Sequence, residues 1–203
     1  MSRIALIGAS GNVGSRLLQE LVSRGHQVTA IGRDPTRISP SPYVSAVRGD
    51  INDIGGLAAI LKGHDAVISS VRFSESDPAA LIDAVRRAGV KRYLVVGGAG
   101  SLYVAPGRRL LDQPDFPAQY KEEASRGAAF LDALKLVTDL DWTFLSPSAL
   151  FVPGERTGKF RLGGDELLVG PKGSTISYED YAIAMVDEIE SPKHVRARFT
   201  VGY

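Results

Sequence analysis

The chain has 203 residues, enough for one domain, and its 44% hydrophobic and 23% charged residues are typical of a globular protein. With 24 basic and 23 acidic side chains the formal net charge is +1, which excludes a strong attraction to nucleic acid or anionic lipid. The absence of cysteine excludes disulfides, thiol nucleophiles and cysteine-ligated metals, and three isolated histidines predict no metal site.

The first half of the chain alternates between short apolar runs and helical periodicity. Residues 4–7 predict a strand buried on both faces, and apolar residues at three- and four-residue steps from Val13 to Leu21 predict a helix that Gly25 closes. Further strands are predicted over 28–31, 44–47, 66–68 and 93–96, with helices over 54–61 and 78–88 and N-caps at Asp53 and Asp77. This alternation predicts a doubly wound, parallel α/β sheet in three αβα layers.

The composition of the second half of the chain changes after Pro147. Before it, a helix is predicted from Ala118 to Val137 and a strand from Trp142 to Leu145. Residues 151–174 are rich in glycine and charge, and a helix over 178–189 and a strand over 198–201 follow. Because no linker separates these parts, we expect one domain, 1–203, in which residues from about 147 to 203 form a small lobe over the carboxyl edge of the sheet.

The segment Gly8-Ala9-Ser10-Gly11-Asn12-Val13-Gly14 lies between the first strand and the first helix. In such a loop one glycine permits a tight turn, one lets a pyrophosphate approach the backbone, and one allows close packing of helix and strand. The helix N-terminus offers unpaired N–H groups and partial positive charge to phosphates. The segment therefore predicts a dinucleotide site, although a purely structural turn has the same glycines.

The spacing GxxGxxG resembles that of extended and atypical short-chain dehydrogenases/reductases. The similarity continues through residues 31–34, 49–50, 69–71, 96–101, Lys121 and 145–147, and so covers most of the chain. More narrowly, residues 97–102, 146–148 and 154–158 resemble the NAD(P)H-binding, NADH-flavin reductase-like proteins, relatives of biliverdin reductase B and of NmrA. The resemblance implies a Rossmann-like fold and these cofactor-binding residues: Gly8, Ser10, Gly11, Asn12, Val13, Gly14, Arg33, Asp50, Ile51, Ser69, Ser70, Val71, Gly97, Gly98, Lys121, Pro147, Ser148 and Ala149.

The end of the second predicted strand indicates which nicotinamide cofactor is preferred. A carboxylate there would accept hydrogen bonds from the 2′-hydroxyl of NAD, but the chain has Gly32 followed by Arg33. A guanidinium pairs with a 2′-phosphate, so we predict NADP(H) over NAD(H); a merely solvated Arg33 is the alternative. Asp34 is interpreted as a helical cap, and Asp50 either as the family's adenine contact or as a turn residue.

The catalytic pattern of the wider family is incomplete. Typical members pair a tyrosine with a lysine four residues later, and Lys121 matches this lysine while Pro117 occupies the tyrosine position. Ser101, Tyr120 and Lys121 are the candidate catalytic residues, and Tyr103 is a further candidate donor. Flavins and quinones disperse the charge that hydride brings, so loss of the tyrosine favours such acceptors over simple carbonyls.

Two segments remain as candidate walls of the cleft. Residues 100–117 predict an irregular loop that covers it, with Arg108 and Arg109 placed to meet an anionic acceptor, although a solvated loop has the same composition. Glu155 and Arg156 are assigned to the same cleft from their position alone.

The leading hypothesis is therefore an NAD(P)H-dependent reductase that transfers hydride to a small conjugated acceptor, with flavin as substrate rather than prosthetic group. The alternatives are a non-catalytic dinucleotide sensor similar to NmrA and a sugar-nucleotide epimerase or dehydratase. We expect a cytoplasmic monomer or homodimer without membrane or nucleic-acid partners, because the N-terminal apolar run stops at Gly8 and no run of about 18 apolar residues occurs.

Overall fold

The computed structural model describes all 203 residues, Met1 to Tyr203. The helices are α1 (Asn12–Ser23), α2 (Ile54–Leu61), α3 (Pro78–Ala88), α4 (Lys121–Lys135) and α5 (Tyr178–Glu190). The strands are β1 (Arg3–Ile7), β2 (Gln27–Gly32), β3 (Val44–Arg48), β4 (Ala66–Ser69), β5 (Arg92–Val96), β6 (Tyr103–Ala105), β7 (Arg108–Arg109), β8 (Asp141–Pro147), β9 (Leu150–Val152), β10 (Arg161–Gly163), β11 (Thr175–Ser177) and β12 (Ala197–Gly202). None of the helices combines the length and apolar character that crossing a membrane requires.

Eight strands form the central sheet in the order β10-β12-β8-β5-β4-β1-β2-β3. All neighbours pair in parallel except β10, which runs antiparallel to β12 at the edge. Alternate residues of β1 enter two separate cores: Ile4 and Leu6 pack with α1 and α5, whereas Ala5 and Ile7 pack with α2, α3 and α4. The predicted Rossmann-like, three-layer αβα fold is thereby confirmed.

The predicted helix signals correspond to contacts in the structure. The Asp53 carboxylate accepts a hydrogen bond from Gly56 N at 3.0 Å, and the Asp77 carboxylate accepts one from Ala79 N at 2.9 Å. Gly25 has a φ of +79°, the left-handed conformation expected of a residue that closes a helix. The fourth helix begins later than predicted because residues 118–120 form a separate 3-10 turn, after which α4 starts at Lys121.

The C-terminal part differs from the lobe that the sequence predicts. β12 pairs with β8 inside the main sheet, and α5 packs against α1, so both belong to the Rossmann core. Only β9 and β11 form a separate two-stranded ribbon beside the carboxyl edge. The strand over 198–201 was therefore assigned correctly, but its burial on both faces makes it a member of the sheet rather than part of a covering lobe.

The segment 100–117 is more regular than predicted. It contains the antiparallel pair β6–β7, and two backbone hydrogen bonds join Tyr103 to Asp165 and Leu167, each at 2.9 Å. Leu102 and Leu111 are buried. The segment is therefore anchored to the sheet and to the residues after β10.

Candidate active site

A cavity of about 900 Å³ opens where β1, β2, β3, β4 and β5 end at their carboxyl edge. Open parallel sheets of this kind bind ligands in this crevice, because the strand order reverses there. Eleven of the predicted cofactor-binding residues line the cavity: Gly8, Ser10, Gly11, Asn12, Val13, Arg33, Asp50, Ile51, Ser70, Val71 and Gly97.

The glycine loop is shaped by close backbone approaches at two of its three glycines. A Cβ on Gly8, where φ is +82°, would lie 2.1 Å from the carbonyl oxygen of Ser70. A Cβ on Gly14 would lie 2.1 Å from the carbonyl oxygen of Gly8, so the first helix can pack on the loop only with glycine there. Gly11 is less confined, with its nearest contact at 3.3 Å, and it is the residue that precedes α1 at the cavity wall.

The first turn of α1 fits an anionic group. Gly11 has no side chain to cap the helix, and no acidic residue lies in the first turn. The N–H groups of Asn12 and Val13 therefore lack the intrahelical partners that later amides have, and both residues line the cavity. A pyrophosphate there would receive these N–H groups and meet the positive end of the helix dipole.

One end of the cavity, here called the charged end, is formed by Arg33, Arg37, Asp50 and Glu75. The Arg33 side chain is 84% exposed, and its only ion pair is a 3.4 Å contact with Glu75, so the guanidinium is available to a ligand. Arg37 lies beside it, because Asp34 caps a turn of helix at Pro35–Arg37 as predicted. Hydrogen bonds from Thr36 hold the pKa of Asp34 below its usual range.

Asp50 forms a turn, as one of its two interpretations predicts. Its carboxylate accepts hydrogen bonds from the backbone and side-chain nitrogens of Asn52 at 2.9 and 3.0 Å, which is a turn-forming pattern. Asp50 nevertheless lines the cavity, and a second cavity of about 340 Å³ adjoins it beside Arg48 and Gly49.

A second group of lining residues, here called the aromatic end, comprises Phe73, Phe151 and Tyr178, with Glu123 hydrogen-bonded to the backbone of Phe73. Phe73 packs against Phe144 and Phe130 in the core. Both carboxylate oxygens of Glu123 accept backbone hydrogen bonds, from Phe73 N at 2.7 Å and Ser74 N at 2.8 Å, so α4 holds the turn after β4 in place.

The other predicted cofactor residues lie outside the cavity lining: Gly14, Ser69, Gly98, Lys121, Pro147, Ser148 and Ala149. The buried Ser69 hydroxyl is hydrogen-bonded to Tyr93, whose pKa is raised by burial. Ser148 is also buried, and its hydroxyl donates to Val201 O at 3.1 Å. Their side chains therefore serve the packing of strands in this structure.

The three candidate catalytic residues do not come together at the cavity. The Lys121 ammonium donates to the carbonyl oxygen of Leu111 and lies 5.6 Å from the Phe116 ring centroid, and the Tyr120 side chain is exposed. Ser101 is buried, and its hydroxyl accepts from Arg198, which ties β12 to the loop after β5. Tyr103 likewise lies outside the lining, in β6.

The basic residues proposed for the cleft walls have partners elsewhere. Arg109 pairs with Asp112 at 2.9 Å, and Arg108 donates to the side chain of Gln113. Arg156 makes two hydrogen bonds, of 2.8 and 2.9 Å, to the buried carboxylate of Glu20 on α1. None of the three, nor the exposed Glu155, lines the cavity.

Sequence reasoning missed Arg37, Glu123, Phe73, Phe151 and Tyr178. The sequence could have indicated Arg37, because the turn that Asp34 caps ends at this residue. Tyr178 also carried a signal, since Ser177 precedes a helix and its hydroxyl accepts from Asp180 N at 3.0 Å. The remaining residues meet only through the tertiary fold.

Comparison with known proteins identifies one family, but the similar proteins carry names that describe different activities. The sequence model of the family described as NAD(P)H-binding matches residues 8–192. A "putative epimerase" from Bacteroides thetaiotaomicron is 43% identical with a TM-score of 0.95, covering 100% of this chain and 97% of that one. A "putative exported protein" from Burkholderia pseudomallei is 46% identical with a TM-score of 0.90, covering 100% of both chains. A "putative NADH-flavin reductase" from Streptococcus pneumoniae is 36% identical with a TM-score of 0.87, covering 100% and 99%.

Proposed function

Because the chain belongs to the NAD(P)H-binding family, we propose that it is an oxidoreductase that uses NADPH to reduce a conjugated acceptor such as a flavin or quinone. The observation that carries this proposal is the uncapped first turn of α1, which opens into a large cavity between a charged end and an aromatic end. Bound NADPH would supply hydride from C4 of its nicotinamide ring.

We place the two halves of a dinucleotide at the two ends of the cavity. Amides at Asn12 and Val13 would hold the pyrophosphate, and Asp50 and Ile51 would line the adenosine site at the charged end. The nicotinamide would then lie at the aromatic end, beside Val96 and the backbone of Gly97. A Cβ on Gly97 would lie 2.6 Å from Leu145 O, so glycine is needed for the backbone after β5 to lie this close to β8.

The charged end supports a preference for NADPH over NADH. Arg33 and Arg37 both line the cavity where the 2′-position of the adenosine ribose would lie. Guanidinium groups bind a phosphate with charge-assisted hydrogen bonds, whereas a 2′-hydroxyl gains little from them. We therefore infer that these two arginines select the phosphorylated cofactor.

The aromatic end supports a flat, conjugated acceptor. Phe73, Phe151 and Tyr178 line it, and aromatic side chains pack well against planar rings. The name of the Streptococcus pneumoniae neighbour agrees with a flavin substrate. Flavin is proposed as a diffusible acceptor, not as a bound prosthetic group.

The test measures the rate of NADPH oxidation from the loss of NADPH absorbance. The acceptors are FMN, riboflavin and a series of quinones, and the blank contains no acceptor. We expect an acceptor-dependent rate that saturates with NADPH at lower concentration than with NADH. Binding of both cofactors is measured separately by calorimetry. Tight NADPH binding without turnover on any acceptor would contradict the reductase assignment.

A dinucleotide sensor similar to NmrA is the second candidate, and one observation favours it. The three candidate catalytic residues, Ser101, Tyr120 and Lys121, lie outside the cavity lining, and Pro117 stands at the family's tyrosine position. A sensor would bind oxidised and reduced cofactor with similar affinity and show no turnover. The oxidation assay, together with calorimetry of NADP⁺ beside NADPH, therefore separates the candidates.

The cytoplasm is the compartment that we propose for this reaction, in keeping with a chain that contains no cysteine. The name of the Burkholderia pseudomallei neighbour points the other way, toward export. Fractionation of cells that express the chain, with immunodetection in the cytoplasmic and exported fractions, tests this part. Recovery mainly from the exported fraction would overturn it.

A further inference from the structure

The aromatic end contains a tyrosine hydroxyl that no structural role uses. The hydroxyls of three other tyrosines are hydrogen-bonded within the protein: Tyr93 with Ser69, Tyr181 with Leu145 O, and Tyr203 with Ser177 and Asp180. Tyr178 lines the cavity, is only partly buried, and makes no hydrogen bond through its hydroxyl to another group of the chain. Its donor is therefore free for whatever occupies the cavity.

The ring of Tyr178 is fixed although its hydroxyl is free. It packs edge-on against Phe151 with ring centroids 4.6 Å apart, and Phe151 in turn packs on the buried Tyr181 at 4.7 Å. On the α1 side the guanidinium of Arg16 lies 5.9 Å from the Tyr178 centroid and is itself paired with Glu179 at 3.0 Å. A ring held on both sides can present its hydroxyl in one position.

We propose that Tyr178 is a catalytic residue that donates a proton to the reduced acceptor, an assignment that rests on the proposed reductase function. Tyr178 begins α5 immediately after β11, far in sequence from the helix where the wider family has its tyrosine. The carboxylate at this end, that of Glu123, uses both oxygens to accept backbone N–H groups, whereas the Tyr178 hydroxyl has no partner in the chain.

The proposed step balances for a quinone acceptor. Hydride, one proton with two electrons, passes from C4 of the dihydronicotinamide to the quinone and leaves a negative charge on a quinone oxygen. The O–H bond of Tyr178 breaks, an O–H bond of the hydroquinone forms, and the tyrosine oxygen regains a proton from water. The net reaction consumes quinone, NADPH and one proton and yields hydroquinone and oxidised cofactor.

Tyr178→Phe tests the step because it removes the hydroxyl and keeps the ring against Phe151. With menadione as the quinone we expect kcat to fall about 10-fold, less than the 100-fold or more typical of a lost general acid, because the quinone disperses part of the charge that hydride brings. The NADPH dissociation constant should change less than twofold. Tyr178→His, which keeps a ring and a donor, should recover part of the rate. Tyr43→Phe is the matched control, since Tyr43 is exposed and lies outside the cavity lining.

A second readout does not depend on turnover. In protein labelled with ¹³Cζ-tyrosine, the resonance that Tyr178→Phe removes should shift when NADP⁺ and menadione are added together, a mixture that cannot react. The Tyr43 resonance, identified with Tyr43→Phe, should stay in place.

The outcomes separate this inference from the proposed function. If wild-type protein reduces menadione and Tyr178→Phe does so at the same kcat, the catalytic assignment is wrong and the reductase stands. If the variant instead loses NADPH affinity with kcat unchanged, Tyr178 holds the cofactor and the assignment is equally wrong. If wild-type protein binds NADPH but reduces no acceptor, the reductase and the proton donor fall together.

Discussion

The charged and aromatic ends of the cavity differ in how their residues are held. At the charged end, Arg33 is largely exposed and meets only Glu75, so solvent screens it until a ligand arrives. At the aromatic end, Phe73, Phe151 and Tyr178 pack on neighbouring rings. Long exposed side chains suit the selection of a charged group, and fixed rings suit the placement of a reacting one. If the proposed function holds, cofactor recognition and the chemistry on the acceptor rest on separate parts of one crevice.

The glycine loop between the ends should give the largest effect when changed. In Gly14→Ala the new methyl group would lie 2.1 Å from Gly8 O, so we expect loss of NADPH binding and a free energy of unfolding lower by about 3 kcal/mol. Gly55→Ala is the control, because its nearest neighbour is 3.8 Å away and alanine favours the helix. Urea denaturation measures the stability of each variant, and calorimetry measures its NADPH binding. Retained NADPH binding in Gly14→Ala would contradict the assignment of the glycine loop to the cofactor site.

Changing Arg33 and Arg37 together to alanine should affect the charged end alone. We expect NADPH affinity to fall about 10- to 100-fold, the equivalent of a lost charge-assisted hydrogen bond, while NADH affinity stays constant. Arg87→Ala is the control, since Arg87 is exposed and pairs only with Asp83 on its own helix. Equal losses for NADH and NADPH would mean that the arginines do not read the 2′-phosphate.

Glu123→Gln should affect the aromatic end alone. One oxygen that accepts from Phe73 N or Ser74 N becomes an NH₂ donor, so we expect a free energy of unfolding lower by about 1–2 kcal/mol and a several-fold higher KM for the acceptor. Cofactor affinity should not change. The neighbouring Glu122→Gln is the control, since Glu122 is exposed and pairs only with Arg126; the same KM rise in that variant would count against a local clamp.

The smallest expected effect concerns the ion pair between Arg156 and Glu20, which joins the segment after β9 to α1. Hydrogen bonds from Arg156, opposed by burial, hold the pKa of Glu20 below its usual value of 4.5. A carboxylate with a lowered folded pKa contributes stability above its unfolded pKa and loses it as the pH falls through the folded pKa. Arg156→Gln should therefore cost about 1 kcal/mol or less at pH 7, and the cost should shrink in acid below about pH 4.5.

Urea denaturation of Arg156→Gln and of wild-type protein, at pH 7 and below about pH 4.5, measures this difference. Arg126→Gln, which breaks an exposed pair with Glu122, is the control and should leave stability unchanged at both. A destabilisation by Arg156→Gln that is equal in acid and at neutral pH would show that ionised Glu20 is not involved.

The two ends also differ in how far the sequence predicts them. The glycine loop and Arg33 are adjacent to strand ends that apolar runs locate, so local pattern was enough. Phe73, Phe151 and Tyr178 belong to three distant segments, and their presence in one cavity lining depends on the sheet order and on the packing of α5 against α1. Local pattern also overestimated the lobe, because it did not show that the last strand pairs with β8.

The packing of α5 on α1 has a consequence for how the molecule forms. The glycine loop and Tyr178 both line one crevice although more than half of the chain separates them, so forming the crevice requires contacts of long range in sequence, which generally slow folding. A nascent chain that ends after β8 would present the bare edge of β8 in place of its pairing with β12. Such an intermediate invites aggregation or chaperone capture, and a fragment beginning at β9, supplied in trans, would be expected to dock there and restore the crevice.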